Sequence, residues 1–119
     1  MKEIIKKRSN VFAHNCVKLA VELPKSRLGN HIEGQLIRCS TSVAANYRAA
    51  CLGQSKRAFI SKLGIVIEEA DESIFWLEFL RDEGLGTDTY FAQVLKEAKE
   101  LTSIFIASRI TALKNLNQQ

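Results

Sequence analysis

Ile60, Leu63, Ile67, Ala70, Ile74 and Leu77 recur at alternating spacings of three and four. That rhythm is the seam of an amphipathic helix, and a strand cannot satisfy it because strand side chains alternate with a period of two. Ser55 is placed to cap the helix, and Gly84 and Gly86 are placed to stop it. The element then covers about residues 56–83 and is roughly 40 Å long at 1.5 Å per residue. A seam of that length needs partner helices along its whole face.

The rest of the chain supplies three. Ser9 is a candidate cap for a helix over about residues 9–23, with Phe12, Cys16, Leu19 and Leu23 on one face. Pro24, the sole proline, disfavours helical geometry at Leu23. With Asn30 as its candidate cap, a second helix over about 31–52 aligns Ile32, Leu36, Val43, Tyr47 and Ala50. Small side chains from Cys39 to Ala45 suit close helix packing. A fourth helix over about 88–114 presents Phe91, Val94, Ala98, Leu101 and Phe105 and continues through Ile110 and Leu113. Short connections make successive helices antiparallel neighbours, so the expected fold is an all-α, antiparallel, up-and-down four-helix bundle.

A chain of 119 residues makes one domain with a modest core. The charged start Met1 to Arg8 does not resemble a signal peptide, and charge interrupts every apolar run well short of a membrane span. Cys16, Cys39 and Cys51 lack the spacing of a zinc site or a redox pair and fit small apolar side chains in a reducing cytoplasm. The net charge of +4 hides a division. Residues 1–60 hold 11 Lys or Arg against 3 acids, and residues 61–119 hold 6 against 10.

Two segments carry a family likeness. Gln35-Leu36-x-Arg38-x-x-Thr41-Ser42-x-x-Ala45-Asn46 precedes Phe59-Ile60-x-Lys62-Leu63-x-Ile65-x-x-x-Glu69-Ala70-x-Glu72-x-x-x-Trp76-Leu77-x-x-Leu80. Together they resemble the bacterial four-helix-bundle family first recognised as proteins encoded in intervening sequences of 23S rRNA genes. The resemblance covers about residues 4–113. It implies a homopentamer around a central channel and no defining catalytic set. Related proteins include basic accessory factors of diversity-generating retroelements, which resemble partners of a reverse transcriptase and its RNA. Arg38 matches the family's motif arginine. Ala49 departs from the Glu often found after the Ala-Asn pair, which weakens any inference resting on a carboxylate there.

Independently of that likeness, the third helix carries Phe59, Ile65, Val66, Phe75, Trp76, Phe79 and Leu80 beyond its seam, and the fourth adds Leu95, Ile104 and Ile106. This surplus exceeds an ordinary stripe and points to self-association, with Ile65, Phe75, Trp76, Phe79, Ile104 and Ile106 as the candidate interface.

Chemistry finds little support. Glu68, Glu69, Asp71, Glu72 and Glu78 evoke a di-iron bundle site, but His14 and His31 stand outside any Glu-x-x-His spacing. Ser40, Thr41 and Ser42 sit mid-helix without an aligned base. No phosphate-binding glycine motif occurs. The expected protein is non-enzymatic, without metal, cofactor or small-molecule substrate. Asn46, near Ser42 and Tyr47, is either an amide fixing helix register through an adjacent helix or a ligand or nucleic-acid contact. Arg38 and Arg48 can pair with the acidic third helix or face a channel. Lys6, Lys7, Arg8, Lys25, Arg27, Lys56 and Arg57 are the candidate nucleic-acid contacts. The alternative is a protein-binding adaptor presenting its acidic third helix.

Overall fold

Ser26, Ser55 and Asp88 each accept a hydrogen bond from the backbone N–H three residues on, at 3.0, 3.1 and 2.7 Å, and each begins a helix. The structure is a computed structural model and describes residues 1–118. Its four helices are α1 (Lys2–Val21), α2 (Arg27–Cys51), α3 (Lys56–Asp82) and α4 (Thr89–Asn117). No strand occurs among the described residues.

Two starts differ from the sequence expectation. Helix α1 begins at Lys2, not near Ser9, because nothing in its charged first turns interrupts the helix. Ser9 is instead fully buried and donates to the Ile5 carbonyl at 2.8 Å. Helix α2 begins one turn before Asn30, on Ser26. Gly29 makes that early start possible: a Cβ there would lie 1.9 Å from the Pro24 carbonyl oxygen. After α3, Gly84 turns the chain with φ +76, the left-handed region glycine enters freely.

The helices enclose one core of Phe12, Ile32, Leu36, Val43, Leu63, Leu77, Leu101 and Phe105. Backbone packing joins α1 to α2 and α4, and α3 to α2 and α4, while α1 and α3 do not approach closely. Along α3 and α4, Glu78 meets Lys99 and Ile60 meets Arg109, so numbers rise on one helix as they fall on the other. Helices α1 and α4 pair likewise, Arg8 with Glu97 and Asn15 with Tyr90. The result is a rod of 52 × 21 × 20 Å.

The α3 seam is shifted from the expected one. Ile60, Leu63, Val66, Ala70, Ser73, Leu77 and Leu80 are buried, whereas Ile67 and Ile74 are only half-buried. The Ser73 hydroxyl is tolerated because it donates to the Glu69 carbonyl at 2.9 Å and lies 3.2 Å from the Cys39 sulfur. Some of the apolar surplus therefore thickens the core, since Val66, Leu80 and Leu95 are buried. Ile65, Phe75, Phe79 and Ile106 remain exposed. Trp76 and Ile104 are half-buried against the core. Ile110, expected to continue the α4 stripe, is exposed.

Candidate nucleic-acid interface

The two sequence motifs meet as the halves of one helix contact. Arg38 on α2 spans Glu69 and Glu72 on α3, with 2.9 Å from Nη1 to Glu69 Oε2 and a second ion pair to Glu72. The Arg38 guanidinium holds the Glu72 carboxyl below the usual carboxylate range, and Glu72 in turn raises Arg38. Cys39 touches Ser73 in the same contact, and the His31 ring meets Trp76 edge-on at 5.5 Å. Arg38 is thereby a clasp between helices, one of the two roles its sequence allows. Asn46 has no hydrogen-bond partner on a neighbouring helix among the described residues. Its amide donates to the Ser42 carbonyl and hydroxyl of its own helix, each at 2.9 Å. Tyr47 is core, its ring tilted against that of Phe105 with centroids 5.3 Å apart, and burial raises its phenol. Burial also raises the Cys16 and Cys39 thiols, which disfavours their thiolate forms.

The seven candidate phosphate contacts do not form one patch. Arg8 is taken out by α4: its Nε donates to Glu97 at 2.9 Å, its Nη2 reaches Glu97 and Glu100, and the Glu97 bond raises its guanidinium further. Lys25 lies 3.5 Å from Glu33, and with Arg27 it stands at the far end of the rod, between α1 and α2. Lys6, Lys7, Lys56 and Arg57 share the other end, where Lys6 also pairs with Glu3 at 3.0 Å.

That end gains cations the sequence halves conceal. Met1, Lys2, Arg8, Tyr47, Lys56, Phe59, Ala112 and Asn115 line one cleft of about 680 Å³, bringing the start of α1, the end of α2, the start of α3 and the last turns of α4 together. Arg109 donates to the Ile60 carbonyl at 3.3 Å. Residues 1–8, 44–62 and 106–118, which compose this end, hold ten of the 17 Lys and Arg and one of the 13 acids. Arg109 and Lys114 belong to the acidic half of the sequence and arrive here only through folding. Arg48 turns to the groove between α1 and α2, beside Lys6 and Lys7, instead of pairing with α3. Lys2 lies over the Phe59 ring at 4.2 Å.

Glu3 belongs to this end, and Glu97 and Glu100 reach it through Arg8. Among the described residues no group of three or more His, Cys, Asp and Glu is placed to hold a metal ion, and no helix is long and apolar enough to cross a membrane.

Residues 1–107 match a family model described as 23S rRNA-intervening sequence protein. Among solved structures the chain is similar to a protein with unknown function from the S23 ribosomal protein family of Bacteroides thetaiotaomicron. The two are 31% identical, the match covers 92% of this chain and 98% of that one, and the TM-score is 0.82. No curated protein matches.

Proposed function

The chain belongs to the 23S rRNA-intervening sequence protein family, and from that premise we propose a non-enzymatic, homo-oligomeric scaffold that binds RNA through its basic end. One observation carries the reading: eight cations at one end of the rod stand without a carboxylate partner among the described residues. Such a cluster attracts any polyphosphate by counterion release, with steep salt dependence and little sequence preference. The crossed pairings of α1 with α4 and of α3 with α4 support an antiparallel up-and-down bundle. Exposed Ile65, Phe75 and Phe79 support self-association, and the family resemblance supplies the number five and a ring. Three free cysteines favour a reducing cytoplasm.

The same exposed aromatics favour a second reading, a protein-binding adaptor. Binding to a structured RNA at several salt concentrations separates the two. RNA affinity should fall steeply with salt, and Lys56→Gln, Arg57→Gln and Lys114→Gln together should flatten the salt slope by roughly two to three. Lys25→Gln with Arg27→Gln, at the far end, should change little. Affinity that ignores both salt and the triple variant would leave the adaptor reading.

A further inference from the structure

Helices α1 and α2 leave an open groove of about 880 Å³ between them. Its floor includes the small side chains Ala13 and Ala44, buried and half-buried, and exposed Ala45, Lys7 and Arg48 stand on its rim. Both cations are exposed and have no ion-pair partner among the described residues. The one acid lining the groove, Glu3, is held by Lys6.

The outer face of α3 has the opposite character. Ile65, Phe75 and Phe79 stand 40%, 54% and 36% exposed, a large apolar presence for a surface helix. Glu68 and Asp71, also exposed, lie among them without an ion pair among the described residues. Trp76 packs on the core and touches both phenylalanines, at 5.0 and 6.0 Å between ring centres, so it props them outward.

We infer that the α3 stripe of one copy seats in the α1/α2 groove of a second copy; this rests on the self-association proposed above and names its two faces. Three features agree. The alanine floor leaves volume for aromatic rings, in the helix-in-groove manner. The rim cations and the stripe acids are opposite in charge, which would fix orientation. Glu3 to Val17 along the groove and Ile65 to Phe79 along the stripe both cover about 21 Å of helix at 1.5 Å per residue. Within one chain the contact is closed off, because the α3 backbone neighbours α2 and α4 but not α1. Groove and stripe are different surfaces, so the contact is head-to-tail, and repeated addition closes a ring or grows a filament.

Complementary variants test it, with native mass read by light scattering and folding verified by circular dichroism. Phe75→Ser with Phe79→Ser disables the stripe; Lys7→Glu with Arg48→Glu disables the groove. Each pair alone should raise the subunit dissociation constant at least about thirtyfold, the range of interface hot spots, and give monomers. Mixed in equal amounts, the two monomers should form a 1:1 dimer and nothing larger, because one intact stripe and one intact groove remain. A wild-type chain that is monomeric at every concentration overturns the self-association itself. A wild-type oligomer untouched by the groove variant, or a mixture that stays monomeric, overturns this pairing of faces and leaves self-association standing. The RNA variants Lys56, Arg57 and Lys114 line no part of this groove, so the two readings fail separately.

Discussion

At the end of the rod where α3 begins, eight of ten cations stand without a carboxylate partner among the described residues; only Lys6 and Arg8 have one. Elsewhere Arg38, Lys99, Lys25 and Arg81 each meet an acid. The interiors of the two regions do not differ in kind, since one apolar core runs through both. Charge is therefore used in two ways in one molecule. Arg38 and Lys99 tie neighbouring helices together, whereas the basic end offers most of its cations outward.

The largest expected effect would break the claim that the ends differ only in charge. Phe105→Ala, removing a fully buried ring at the basic half, should cost about 3–5 kcal/mol. Urea unfolding should remain a single transition, with circular dichroism and the fluorescence of Trp76, at the far half, changing together. Two separated transitions would mean that each end has its own stability.

A smaller effect sharpens the contrast inside the basic end. Arg8→Met should destabilise by about 1 kcal/mol through loss of the two-pronged bond to Glu97, yet leave RNA affinity nearly unchanged. Arg57→Met should do the reverse, staying within about 0.5 kcal/mol in stability while weakening RNA binding. Equal effects of the two on binding would refute the division between tied and free cations.

The smallest concerns pH. The Glu72 carboxyl is held low by Arg38 in the folded state. Its contribution is thus fully present above the unfolded value of about 4.3 and disappears as pH falls through the lower folded value. Because the pair is partly exposed, the loss should be below about 1 kcal/mol. Acid titration of stability in Arg38→Gln should lack this component.

Much of this architecture is legible in the residues, and the misreadings have physical causes. Ser55 announces its helix because a capping side chain stands directly before a periodic apolar run. Ser9 misleads because the same hydroxyl that caps a helix can bond to the preceding turn and be buried. Asn30 competes with Ser26 for one boundary, and Gly29, placed against Pro24, decides it. On α3 the seam slips by one position because Ser73 looks polar in sequence, while Cys39 and the Glu69 carbonyl accommodate its hydroxyl. Arg38 opposite an acidic helix was foreseeable from charge alone. The basic end was not, since Arg109 and Lys114 lie in the acidic half of the chain and reach it only through the course of α4.

Eight like charges with no local compensation also repel one another, and folding gathers them. The free protein therefore stores electrostatic work at one end, which any bound anion relieves. Added salt should screen that repulsion and steady the unliganded fold while loosening a bound polyphosphate, so one variable pushes the two equilibria in opposite directions.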